Sequence, residues 1–143
     1  MRYLGPIAIL CAVLGLSACG GDEAPANPEE AEVGKVKPTI EPPPGGPPTK
    51  LVVRDRVEGL GPAAKAGDML SIRYIGVGED GKARWSTWGD GPPLTFELGL
   101  AEFFEGWDEA VEGMKAGGRR EITFPAIMSG EPLFYVVDLL KIK

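Results

Sequence analysis

The side chains in this chain that could do chemistry are aromatic: Tyr74, Trp85, Trp88, Phe96, Phe103, Phe104, Trp107 and Tyr135. There is no histidine, which excludes Ser–His and Cys–His nucleophile systems and histidine-containing metal sites together. Both cysteines, Cys11 and Cys19, lie near the amino terminus, so no thiol is expected in the folded part. Carboxylates are plentiful, but none is set among apolar residues as an acid–base pair would be, and they read as solvated surface. Gly76-Val77-Gly78-Glu79-Asp80-Gly81 matches G-x-G-x-x-G formally. A dinucleotide site needs a helix to begin there, and the short aromatic run from Lys82 to Trp88 predicts a hairpin turn instead. In a small domain some of the aromatic residues must be core. Their functional reading is a concave aromatic pocket. Metal and cofactor are expected to be absent.

These residues must be positioned by a short helix and several strands. Phe103, Phe104, Trp107, Ala110, Val111 and Met114 recur in steps of three and four, which predicts one apolar stripe on a helix of about three turns. Glu105, Asp108 and Glu109 suit its positive end, while Gly113 and Gly117-Gly118 supply the stop and the turn. Such a helix does not hold itself together in water and must pack on a sheet. Leu70, Ile72 and Tyr74 alternate with Ser71 and Arg73, and Leu94, Phe96 and Leu98 with Thr95 and Glu97. Ile122 and Phe124 follow the same rule, as do Leu133, Tyr135, Val137 and Leu139, with Asp138 on the opposite face. Leu51–Val57 reads as an outer strand, and Arg119-Arg120 as a solvated strand start. The expected fold is α+β, a curved antiparallel sheet wrapped around one short helix.

The run Phe103-Phe104-x-Gly106-Trp107-Asp108-x-x-x-x-Gly113-Met114-Lys115-x-Gly117-Gly118-x-Arg120 closely resembles the centre of FKBP-type peptidyl-prolyl cis-trans isomerases. The resemblance extends from about Leu51 to Lys143 and implies the same fold. It also implies a proline pocket with Trp107 as its floor and Tyr74, Phe96 and Tyr135 as walls, these four being the catalytic set. Leu94 takes a place usually held by an aromatic residue. Phe103 and Phe104 match an aliphatic pair whose second member offers its backbone N–H to the substrate, and Thr87 and Trp88 continue the adjoining loop. The chemistry implied suits what the chain lacks. Twisting an X–Pro bond crosses a barrier of roughly 18–20 kcal/mol because it breaks amide resonance. A dry aromatic pocket disfavours the polar planar amide relative to the twisted one, with no nucleophile, base or cofactor.

The family pattern Phe-Asp-Ser-Ser reads Arg84-Trp85-Ser86-Thr87 here, so an aromatic wall becomes Arg84 and a pocket aspartate becomes Trp85. A tyrosine that hydrogen-bonds the bound peptide becomes Ser129, and the overhanging loop shrinks to Gly130-Glu131-Pro132. The resemblance therefore implies a prolyl isomerase of reduced activity, with Trp85 added to the binding residues Leu94, Phe103 and Phe104. The alternative is a non-catalytic FKBP-like module that holds proline-containing or unfolded segments.

The remaining features concern address. Arg2, the apolar run Ile7 to Leu16 and the sequence Leu16-Ser17-Ala18-Cys19 resemble a bacterial lipoprotein signal, which implies lipidation of Cys19. Residues 20–49 hold eight prolines and six acidic side chains with no aromatic residue, and predict a disordered tether dispensable for folding. It would reach roughly 40 to 90 Å. The domains expected are thus a signal over 1–19, a tether over 20–49 and an isomerase domain over 50–143. Fifteen basic side chains face 21 acidic ones, a net charge of −6, which disfavours nucleic acid as a partner. The expected partners are proline-containing segments of unfolded exported proteins, met by a monomer anchored outside the cytoplasm.

Overall fold

The period-two alternation is realised in six strands of a computed structural model, which describes residue 29 and residues 32–143. The expectations for the signal, for Cys19 and for the first part of the tether lie outside the described residues. The strands are β1 (Val52–Val57), β2 (Met69–Gly78), β3 (Ala83–Ser86), β4 (Leu94–Glu97), β5 (Arg119–Phe124) and β6 (Leu133–Ile142). They form one antiparallel sheet in the order β1-β5-β6-β2-β3, with β4 continuing the β3 edge of β2. The two long strands β2 and β6 are its spine, paired from Leu70 opposite Ile142 to Gly78 opposite Leu133 with one register shift between Ser71 and Ile72.

One face of this sheet closes on a short helix. Leu70, Ile72, Ile122, Phe124, Leu133, Tyr135, Val137 and Leu139 bury their side chains against Trp107, Ala110, Val111 and Met114. Each such burial stabilises by about 1.5–3 kcal/mol before the entropy of ordering is counted. The helix, α1, is shorter than the apolar spacing predicts and spans only Trp107–Val111. Gly106 sits in the left-handed region at φ 87° and Gly113 at φ 81°, so helical geometry is broken on both sides. Phe103 and Phe104 lie on the preceding turn, outside the helix. A second short helix, α2 (Ala126–Ser129), follows β5, with Gly130 left-handed behind it.

The structure differs from expectation in three ways, two of them on the opposite face of the sheet. Arg119 is no solvated strand start: it is fully buried and donates from Nε and Nη2 to the Asp138 carboxylate at 2.7 and 2.9 Å. Asp138, expected on an exposed face, is buried with it. Arg120 is buried too, donating to Asp55 at 2.6 Å and to the carbonyls of Ala110 and Glu112 at 3.0 and 3.1 Å. It thereby ties the carboxyl end of α1 to β1.

The third difference is the tether, which in its described part is laid along the sheet. Gly34 N donates to Asp138 at 2.7 Å, and Arg119 Nη2 to the carbonyls of Glu32 and Val36 at 3.3 and 2.9 Å. Pro38 is buried, and Ile40 packs on a second apolar cluster of Ile75, Val77, Phe134 and Val136. The segment is poor in apolar residues, but the sheet beneath it is not. An ion pair and an apolar strip on that face need cover, and the segment's backbone supplies it.

Candidate functional site

Trp107 opens α1 because Gly106 can turn the chain there, and its amide donates to the Phe104 carbonyl at 3.2 Å. The loop before it is pinned by Asp108, whose Oδ2 accepts from the Ala101 amide at 2.9 Å. Around Trp107, which is 1% exposed, the structure gathers the predicted site. Ring centroids lie 4.8 Å away for Phe103, 5.3 Å for Tyr135, 5.7 Å for Tyr74, 5.9 Å for Phe104 and 6.5 Å for Phe96. Most of these contacts are edge-to-face, the favourable arrangement for ring quadrupoles. Leu94 is half-buried against the same cluster.

Two members were not anticipated. Phe124 stacks on Trp107 at 6.1 Å and 13°, closing it from below. Its inward position on β5 was readable from alternation, but its partner was not. Met128 of α2 packs against the same core, with its sulfur 3.0 Å from where a Cβ on Gly106 would stand. One candidate falls elsewhere: Trp88 packs on the opposite cluster, with the Arg73 guanidinium 5.5 Å above its ring. Thr87 holds Tyr74 in place, its amide donating to the Tyr74 carbonyl at 3.0 Å and its Oγ1 accepting from the Tyr74 amide at 2.9 Å.

The open rim is formed by the residues that depart from the family pattern. Trp85 is 49% exposed and stacks on Tyr135 at 6.4 Å and 12°. Gly76 stands opposite both Trp85 and Tyr135 in the ladders. A Cβ there would lie 2.5 Å from the Tyr135 ring, so a close approach demands glycine. Gly78 similarly makes room for the Arg84 guanidinium. In the formal G-x-G-x-x-G run Gly76 thus clears space for a ring and Gly78 for a guanidinium, while Gly81 makes the hairpin turn at φ 73°. Ser129 directs its hydroxyl at the carbonyls of Glu131 and Pro125, 2.6 and 3.2 Å away.

The electrostatics are those of a dry, neutral site. Burial raises the Tyr74 phenol above its ordinary pKa. Burial, then the charges of Tyr74 and Glu131, drive the Tyr135 phenol well above the phenol range. The indole Nε1 of Trp107 is buried with no hydrogen-bond partner. Among the described residues no cluster of acidic or cysteine side chains could hold a metal ion. The arrangement gathers apolar ring surface around one buried indole and offers no group for acyl transfer.

Comparison with known proteins agrees with this geometry. Residues 61–129 match the model of the FKBP-type peptidyl-prolyl cis-trans isomerases. The FK506-binding protein of Streptomyces anulatus is 40% identical over 120 residues, covering 74% of this chain and 97% of that protein. Among solved structures, AtFKBP13 superposes with a TM-score of 0.59 at 27% identity, over 66% of this chain and 94% of that one. FkpA from Escherichia coli gives 0.59 at 29% identity, over 65% of this chain and 48% of that one, so the match spans about half of FkpA's length. With a near-full-length relative at 40% identity and an aromatic nest centred on Trp107, the chain belongs to the FKBP-type peptidyl-prolyl cis-trans isomerase family.

Proposed function

We propose that the nest around Trp107 takes the proline ring of an unfolded, exported protein segment and accelerates rotation about the preceding peptide bond at a membrane surface. The observation that carries this reading is the ring of Tyr74, Phe96, Phe103, Phe104 and Tyr135 around one buried indole, with no group among them charged at neutral pH. Such walls cannot solvate the dipole of a planar amide. The less polar twisted amide loses less on entering, and that difference lowers the barrier.

Turnover is slower than in a complete family member. The Ser129 hydroxyl is engaged with backbone carbonyls of its own loop, so it leaves a bound peptide without the donor that a tyrosine would extend. A lost hydrogen bond costs about 0.5–1.5 kcal/mol, and a shortened loop covers less of a site that works by excluding water. Together these losses lower the rate about ten- to a thousandfold. Measuring kcat/KM on a panel of X–Pro peptides tests this, with Ser129→Tyr and Trp85→Asp as companions. Gains in kcat support the reading, and family-typical turnover in the wild type sinks it. The same commitment of Ser129 favours a second reading, in which the site holds chains without turning them over. Peptide affinity without any acceleration would select it.

The membrane address rests on Leu16-Ser17-Ala18-Cys19, which fits cleavage before Cys19 and attachment of a diacylglyceryl group. Wild-type protein should require detergent for extraction and Cys19→Ala should not. Wild-type protein recovered in the soluble extracytoplasmic fraction would refute the anchor.

A further inference from the structure

The residues that set this chain apart from its family form one connected unit. Between Gly76 and Val77 the β2–β3 register slips by one residue, so that Arg84 is an extra residue on β3. A bulge of this kind re-aims side chains that would otherwise point to opposite faces. Here it lets Trp85 lie over Gly76 and Tyr135 while Arg84 lies over Gly78. Arg84 then reaches across to the shortened loop. Its Nε donates to Glu131 Oε1 at 3.1 Å and its Nη2 to Glu131 Oε2 at 3.3 Å, a two-pronged pair. Asp80, 3.2 Å from Nη1, steadies the same guanidinium. Ser129 holds the loop from its other side through the Glu131 carbonyl.

From this geometry we propose that Trp85 is the outer wall of the proline site, standing in for the overhanging loop, and that the Arg84–Glu131 brace positions it. The proposal rests on the isomerase reading above and specifies how a substrate is retained. An exposed indole stacked beside Tyr135 extends the apolar surface outward from the nest, where it covers the bound proline segment from solvent. Trp85 touches the substrate; Arg84, Glu131 and Ser129 act through it. The brace is exposed enough for salt to weaken it.

The test is a double-mutant cycle on the full domain, using a short peptide with one Leu–Pro bond. KM is measured by isomerisation kinetics and Kd by titration of the same peptide. Trp85→Ala should raise both about tenfold. Glu131→Gln should raise them about threefold in the wild-type background, with the change carried by KM, and 1 M salt should reproduce that rise. In the Trp85→Ala background Glu131→Gln should add nothing. Arg84→Lys, which keeps the charge but not the two-pronged geometry, should fall between. Equal effects of Glu131→Gln in both backgrounds would overturn the positioning role, and unchanged Kd in Trp85→Ala would overturn the wall. Circular dichroism guards against unfolding, which is not expected for a half-exposed side chain. If the wild type binds the peptide but does not turn it over, the isomerase reading fails while the Kd arm of the cycle still decides the wall.

Discussion

A methyl group added at Gly76 would stand 2.5 Å from Cε1 of Tyr135 and 2.6 Å from its Cζ, inside a ring that packs on Trp107. Gly76→Ala is therefore expected to cost about 1–3 kcal/mol, as overpacking of a filled core does, and to weaken peptide binding by displacing Tyr135. Gly78→Ala meets only the guanidinium of Arg84, the movable end of a long side chain, and should cost less. Urea titration of both variants checks the order; equal midpoints would contradict it. Tyr74 and Tyr135 carry a second consequence. Both phenols have pKa values raised by burial, so the folded state holds these protons more tightly than the unfolded chain does. Their contribution is fully present below the ordinary phenol pKa of about 10 and is lost as pH rises beyond it. Thermal midpoints should fall between pH 9 and 11 in the wild type, and less steeply in Tyr135→Phe. A Tyr135→Phe profile as steep as the wild type would assign the fall to other groups. At this scale the aromatic inventory was readable from residue type alone. The roles of Gly76 and Gly78 were not, because a glycine that clears space for a ring is indistinguishable in sequence from one that makes a turn.

The strands β2, β4 and β5 were legible because alternation in sequence records which side of a ladder each residue faces, whereas β1 is exposed over Val52–Asp55 and β6 is buried on both faces from Leu133 to Leu139. The length of α1 was not legible. The three-and-four spacing of Phe103, Phe104 and Trp107 also arises when a glycine-broken turn leads into a helix, as at Gly106. The segment over residues 32–40 was misread for a different reason. Its composition describes what it can bury of itself, whereas its packing is dictated by Arg119, Asp138 and the apolar strip of β2 and β6. A chain beginning at Lys50 is thus expected to be less stable than one beginning at residue 29. It loses the hydrogen bonds from Gly34 to Asp138 and from Arg119 to Glu32 and Val36, and it uncovers Ile75, Val77, Phe134 and Val136. Offset by the entropy of ordering the segment, the net loss should be about 1–2 kcal/mol. For a domain of this size that lowers the melting midpoint by roughly 4–16 °C. Identical midpoints would show that the segment contributes nothing. Asp138→Asn, which removes the buried anion of Arg119 and leaves it only the more distant Glu29 and Glu32 at 3.9 and 3.8 Å, should cost more, about 3 kcal/mol.

As a whole the molecule places its aromatic nest on one face of the sheet and residues 32–40 on the other. The central claim is that this nest, and Trp107 within it, accelerates X–Pro rotation by shape and dryness alone. The most direct measurement is NMR exchange spectroscopy on a Leu–Pro peptide in large excess over the protein. It reads cis–trans exchange without a coupling protease, for the wild type and for Trp107→Leu. The leucine variant keeps an apolar core where alanine would cost about 3–5 kcal/mol, and its fold can be verified by melting. Accelerated exchange is expected with the wild type, independent of buffer pH between 6 and 8, and at least a tenfold smaller acceleration with folded Trp107→Leu. Equal acceleration by the two proteins would contradict it.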